Sequence, residues 1–235
     1  MHGNLPALEA VLEDTGHAEV DELWCLGDLV GYGAQPDECV ARAAEEFDVC
    51  LAGNHDLVVL DQLDISTFSP GAAAAALWTR GRLGSEARAY LERLDPRDGT
   101  RTVGLYHGSP RNPVWEYVLS TAAAAASIDA MEARVAAVGH SHVALYFTRP
   151  EGGRITGDLA EAGSSADLAA GRWLVNPGAV GQPRDGDPRA AWLLLDMDGW
   201  HATWRRVEYP IDQAAEAIRE AGLPAVLADR LYYGQ

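Results

Sequence analysis

Lysine is missing from this sequence: all eighteen basic residues are arginine, set against thirty-five acidic ones for a formal net charge of −17. A surface of that sign repels phosphate backbones and anionic membranes, so nucleic acid is not an expected partner. Any phosphate-bearing ligand must be drawn by a local positive feature. No apolar run approaches the ~18 residues a bilayer span requires, and no basic stretch leads into an apolar one at the N-terminus. The expectation is a cytoplasmic protein with no membrane partner. Cys25, Cys39 and Cys50 are odd in number and form no C-x-x-C pair, which argues against a disulfide framework or a thiolate zinc site and for reduced, mostly buried thiols. No Ser/Gly/Pro-rich linker or charge block divides the chain, so residues 1–235 are read as a single domain.

What is present is apolar residue in quantity, 48% of the chain, enough for an ample core. Asn4 can cap a helix whose Leu5, Leu8, Val11 and Leu12 share a face, predicting a helix over about 5–14. Then "ELWCLGD" reads as a short buried strand, "PDECVARAAEEF" as a helix and "DVCLAGNHD" as a second strand. Residues 70–94 carry helical periodicity interrupted near Gly81 and Gly84; "RTVGLYHGSP" gives a third strand, a helix follows over about 121–133, and "VAAVGHSH" gives a fourth strand. The alanine runs at 72–76 and 122–126 belong to helix interiors. From Val143 onward "VALYFTR", "RWLVNPGAVGQP", "AAWLLLDM" and "HATWRRVEY" read as strands, before helices at about 211–221 and 224–231. The pattern predicts an α/β fold in which two packed sheets have helices outside.

Four strand ends carry polar clusters: Asp28 in "LGDLVGYG", Asn54-His55-Asp56 in "AGNHD", His107 in "YHGSP", and His140-Ser141-His142 in "GHSH". Each adjoins a glycine, which lets the backbone turn sharply and aim a short side chain into a common mouth at the carboxyl ends of the strands. Any one of these is commonly only a turn. In this order, each after an apolar strand, they form a mixed N/O donor set suited to Mn, Fe, Zn or Ni rather than to Ca or Mg alone, and one carboxylate can serve two metals. His17 and His201 are expected to face solvent or cap elements. Trp78, Trp115 and Tyr117 either line a substrate groove or pack as ordinary core and surface residues.

This ordered set resembles the calcineurin-like metallophosphoesterase superfamily, and "VNPGAVGQPRDGDPRAAWLLLD" with "GDLVGYGAQPDECV" is similar to its small bacterial and archaeal branch. The resemblance implies a four-layer α/β/β/α sandwich of two mixed sheets. It implies that Asp28 bridges two divalent metals, Mn foremost, with Asn54, His107 and His140 on one ion and His2 and His142 on the other. His55 would be a general acid that protonates or stabilises the leaving oxygen. Asp56 would orient that ring or, alternatively, cap a turn. Two ions ~3.5–4 Å apart would activate a bridging water, bind the phosphoryl oxygens and provide the positive potential that the acidic surface denies. Arg184 either binds the phosphate or pairs with Asp185 or Asp187.

The implied activity is hydrolysis of a phosphodiester or phosphomonoester of a small molecule. Symmetrical diadenosine-tetraphosphate or phosphoprotein hydrolysis is the alternative enzymatic reading, and a protein-binding scaffold on the same fold is the non-enzymatic one. In the family the opening motif is Asp-x-His-Gly-Asn at the end of a central strand, whereas here "MHGN" places Met1 at the x position. The expectation is a truncated gene model: an apolar stretch of about five to eight residues ending in Xaa-Asp in frame upstream of Met1. Without it, His2 is expected on a loosely held terminus.

Overall fold

The computed structural model describes all 235 residues. The chain runs α1 (Leu5–His17), β1 (Trp24–Cys25), α2 (Pro36–Glu46), β2 (Val49–Cys50), α3 (Asn54–Val59), α4 (Pro70–Arg80), α5 (Ser85–Leu91), β3 (Arg97–Asp98), β4 (Val103–Tyr106), α6 (Thr121–Ala130) and β5 (Val135–Val138). There follow β6 (Ala144–Arg149), β7 (Thr156–Leu159), β8 (Ser165–Asp167), β9 (Arg172–Pro177), β10 (Ala190–Asp196), β11 (His201–Val207), α7 (Ile211–Glu220) and α8 (Ala225–Asp229). Asn4 starts α1 as expected, its side-chain oxygen accepting from the Ala7 amide at 3.2 Å, while its amide donates to the Gly181 carbonyl at 2.9 Å. Ser69 and Ser120 cap α4 and α6 in the same way, so both alanine runs lie inside capped helices.

A mixed six-stranded sheet in the order β3-β4-β5-β9-β6-β7 forms one inner layer. Strands β4, β5 and β9 are parallel there, β3 and β6 pair antiparallel with β4 and β9, and β7 pairs antiparallel with β6. The other inner layer comes in two blocks, the parallel pair β1-β2 and the antiparallel trio β10-β11-β8. Both blocks face the six-stranded sheet through a shared core containing Leu51, Leu105, Val175, Ala202 and Trp204. On its outer side, α6 packs Ala124 and Ile128 on the six-stranded sheet. The outer side of the other layer is covered by α1, α7 and α8 through Val11, Trp192, Ile218 and Leu227. The order is helix, sheet, sheet, helix.

Between the two blocks lies a cavity of about 790 Å³. Trp24, Cys25 and Leu26 bound it on one side and Trp192, Leu193 and Leu194 on the other; Val11 and Leu12 of α1 lie above, Leu105 and Ala137 of the facing sheet below. Met1 and His2 also line it. The expectation of a loose N-terminus is corrected by the local hydrogen bonding. The His2 amide donates to the Asp28 carbonyl at 2.8 Å, the Gly33 amide to the His2 carbonyl at 2.8 Å, and the amino terminus to the Asp28 carbonyl at 3.1 Å. His2 is therefore buried, with 2% exposure.

Strands β1 and β2 are only two residues each, far shorter than "ELWCLGD" and "DVCLAGNHD" suggest. Each pairs only with the other, so only the residues in mutual register hold strand geometry. The three thiols are free; Cys25 and Cys39 are buried and Cys50 half-buried. No helix is long and apolar enough to cross a membrane.

Candidate metal and catalytic site

Each site residue stands where a strand has just ended. Asp28 follows β1, Asn54 opens α3 after β2, His107 follows β4, and His140 and His142 follow β5. His2 comes from the turn before α1. The backbone needed to aim them is unusual: His2, Asp28, Tyr32, His140 and His142 all have φ between 55° and 61°, the left-handed region that side chains other than glycine avoid. Glycine is required where the elements crowd together. A Cβ on Gly53 would collide with the Asp28 carboxylate, and one on Gly31 with the His55 ring.

Three of the histidines are fixed from behind. Nδ1–H of His2 donates to the Val30 carbonyl at 3.1 Å, that of His107 to the Leu26 carbonyl at 2.7 Å, and that of His142 to the Gln182 carbonyl at 2.7 Å. A carbonyl only accepts, so each of these rings carries its proton on Nδ1 and presents an Nε2 lone pair to the centre. Burial is the main reason that His2 and His142 are held neutral, with pKa values well below the usual imidazole range; it also lowers His55 to about 4 and His140 to about 3. For Asp28, burial acts upward, but the surrounding histidines, His107 first, act the other way and the net shift is down.

The donor atoms form two groups that share Asp28. His2, Asp28 and His142 make one; Asp28, His107 and His140 make the other. In the first, Nε2 of His2 lies 2.9 Å from Nε2 of His142 and 3.3 Å from Oδ2 of Asp28. In the second, Nε2 of His107 lies 3.1 Å from Oδ1 of Asn54, 3.2 Å from Nδ1 of His140 and 3.6 Å from Oδ2 of Asp28. Lone pairs thus converge on lone pairs with no proton between His2 and His142, an arrangement that repels unless a cation lies among the donors. Neutral imidazoles held by outer hydrogen bonds and grouped around a carboxylate fit a divalent metal of the Mn, Fe, Zn or Ni type.

His55 is buried beside this centre, its Nδ1 without a hydrogen-bond partner, and its ring 4.8 Å from that of His2. Asp56 takes the turn-capping alternative. Its carboxylate accepts from the Gly53 amide at 2.8 Å and from the Val30 amide at 3.1 Å, tying the β2–α3 turn to the loop after β1. It does not orient the His55 ring. Complete burial pushes its pKa up to about 8, with the Asp28 charge adding to the effect.

Arg184 pairs with neither Asp185 nor Asp187. Those carboxylates are taken by Arg206 and Arg189. The Arg184 guanidinium instead donates to the Tyr32 hydroxyl at 3.1 Å and to the Gln182 side-chain carbonyl at 3.0 Å, and its charge helps lower the pKa of His2, His55, His140 and His142. It is a cation at the site with no ion-pair partner. Trp115 and Tyr117 reach the site, whereas Trp78 does not: its indole donates to the Ala221 carbonyl at 2.9 Å. His17 and His201 are exposed. Sequence reasoning missed Tyr32, whose ring lies 4.6 Å from His2 and 4.4 Å from His55, and Phe68, 4.5 Å from His55. The signal for Tyr32 was the "GYG" context of a left-handed turn; Phe68 left none.

A model of the calcineurin-like phosphoesterase superfamily domain matches residues 1–199. The chain is similar to a metallophosphoesterase of known crystal structure from Sphaerobacter thermophilus, at 40% identity and a TM-score of 0.89, covering 100% of this chain and 96% of that one. An uncharacterized protein of Methanocaldococcus jannaschii is 34% identical over 242 residues, covering 100% of this chain and 96% of the relative. A hypothetical protein from Pyrococcus horikoshii, at 23% identity and a TM-score of 0.78 over 100% of this chain and 95% of that one, shares the fold.

Proposed function

Because the chain belongs to the calcineurin-like phosphoesterase superfamily, we propose that it is a dinuclear-metal hydrolase of small-molecule phosphate esters, in which Asp28 serves both ions. One observation carries this reading: two groups of converging lone-pair donors meet at a single buried carboxylate. His2 and His142 would complete one set, and Asn54, His107 and His140 the other. Bound divalent ions, Mn foremost, would supply Lewis acidity and a water made acidic enough to attack phosphorus.

The remaining roles belong to the chain. The carbonyls of Val30, Leu26 and Gln182 hold His2, His107 and His142 in the tautomer that faces inward. Arg184, free of any carboxylate, binds a phosphoryl oxygen and offsets the surrounding acidic surface. In hydrolysis the P–O bond to water forms, the P–O bond to the leaving group breaks, and the departing oxygen receives a proton. The attacking water releases the proton that this oxygen takes up, and His55, buried, neutral and partnerless at Nδ1, stabilises the oxygen as it departs. A ring so placed has no structural partner to satisfy, which supports an enzyme over a protein-binding scaffold on the same fold.

With Mn²⁺ added, the purified protein should hydrolyse a chromogenic phosphodiester or phosphomonoester and lose that activity in chelator. Absence of turnover with Mn, Fe, Zn, Ni and Co across a panel of small phosphate esters would remove the hydrolase reading.

A further inference from the structure

The wall of the site outside the donor groups is aromatic. Phe68 lies against His55 with ring centroids 4.5 Å apart; Trp115 meets Phe68 edge-to-face at 6.2 Å and His140 at 6.4 Å; Tyr117 stacks on His140 at 4.1 Å with the rings 14° from parallel. Phe68 and Trp115 are half-buried, and Tyr117 is 48% exposed. An arc of uncharged ring faces therefore runs from His55 to His140, open to solvent. Apolar surface left in water beside reactive groups marks a place where a ligand covers it.

The arc is built rather than incidental. Trp115 and Tyr117 stand on the segment 108–119, which is closed by the Gly108 amide donating to the Pro113 carbonyl at 2.6 Å and the Ser109 amide to the Asn112 carbonyl at 3.0 Å. The Asn112 side chain accepts from the Trp115 amide at 3.0 Å, the Ser109 hydroxyl donates to the Glu116 carboxylate, and Val118 is anchored in the core. A platform tied at this many points presents its rings with little ordering cost on binding.

Resting on the phosphoesterase reading above, we propose that the preferred substrate carries a planar aromatic ring close to the scissile ester, and that Phe68 and Trp115 select it by stacking and edge contacts, with Tyr117 at the rim. The charge distribution supports one phosphate and a neutral remainder. Arg184 is a guanidinium at the site without a carboxylate partner, on a protein of net charge −17, which suits a single phosphate better than a polyphosphate chain or a phosphoprotein surface. Two sources share the proposed chemistry: a nucleotide, whose ring is a base, and an aryl phosphate, whose ring is the leaving group.

The test compares kcat/KM of the Mn²⁺-loaded protein and its Phe68→Ala, Trp115→Ala and Trp115→Phe variants on phenyl phosphate esters, nucleoside phosphate esters and methyl phosphate esters of matched charge. Loss of one base–aromatic contact corresponds to roughly tenfold. The alanine variants should lose about that factor on a ring-bearing ester, mostly through KM, and less than twofold on the methyl esters, while Trp115→Phe retains most of the wild-type preference. A loss greater with nucleoside esters assigns the ring to a base; one greater with phenyl esters assigns it to the leaving group. Metal content equal to wild type shows that the variants are folded. Equal losses on ring-bearing and methyl esters, or none on either, overturn the proposal while leaving hydrolysis intact. No turnover of any ester by the wild-type protein instead defeats the reading on which it rests.

Discussion

The group formed by His2, Asp28 and His142 has three donors, two of them on short turns, whereas the group formed by Asp28, Asn54, His107 and His140 has four donors that follow four separate strands. Both depend on the one carboxylate of Asp28. In the first group both imidazoles are tethered from behind to loop carbonyls, those of Val30 and Gln182. In the second, His107 is tethered to Leu26 directly beyond β1, and the neutral amide of Asn54 adds a fourth donor. The difference teaches that, were each group to hold an ion as proposed, two sites sharing their only charged ligand would be distinguished by donor number and by what carries the donors. The four-donor group should bind its ion more tightly.

Asp28→Ala gives the largest expected effect, because it removes what the groups have in common. Both ions should be lost and turnover reduced by more than the 10–100-fold typical of deleting an outer-shell partner. Elemental analysis that still finds two ions per chain would break the shared-ligand account. His55→Ala sharpens the comparison from outside, as it belongs to neither group. It should keep both ions and lower kcat by ~10²–10⁴-fold. Metal loss equal to that of Asp28→Ala would show His55 to be a ligand.

Within the comparison itself, graded chelation should empty the three-donor group first, with dissociation constants differing by about tenfold or more. His142→Ala should abolish the weaker step and His140→Ala the tighter one, each read by metal titration. A single step involving both ions would mean that the groups are equivalent. The smallest effect is expected for Arg184→Gln, which leaves both ions in place. One charge-assisted hydrogen bond of ~1.5–3 kcal/mol corresponds to a rise of about ten- to hundredfold in KM for a phosphate ester, with kcat less affected. A change confined to metal stoichiometry would place Arg184 among the structural residues.

Much of this arrangement was legible because strand ends are marked twice in the sequence, by the apolar run before and by glycine beside the polar residue. That double mark located Asp28, Asn54, His107, His140 and His142, and the cap at Asn4 located α1. Length was not legible for β1 and β2, since an apolar run does not reveal how much of it finds a partner edge. The short α3 was hidden inside "NHDLVV", which reads equally well as the continuation of a strand. Asp56 was ambiguous because a carboxylate three residues into a helix can cap its turn or reach a neighbour, and only the position of the Val30 amide decides. Phe68 could not be found at all: the segment after α3 gives no periodicity, and its ring reaches His55 only through the tertiary fold.

Five of the eight non-glycine residues in the left-handed region are at the site: His2, Asp28, Tyr32, His140 and His142. Such a conformation costs roughly 1–2 kcal/mol per residue, and glycine adopts it freely. A screen for thermal resistance alone, or a design procedure rewarding the backbone's preferences, would therefore favour glycine at these positions and erase a ligand with most of its gains. Asp28→Gly would relieve two costs together, the backbone strain and the burial of a carboxylate. The sequence best adapted to this backbone is not one that can hold a metal, and variants of increased stability that map here should be inactive.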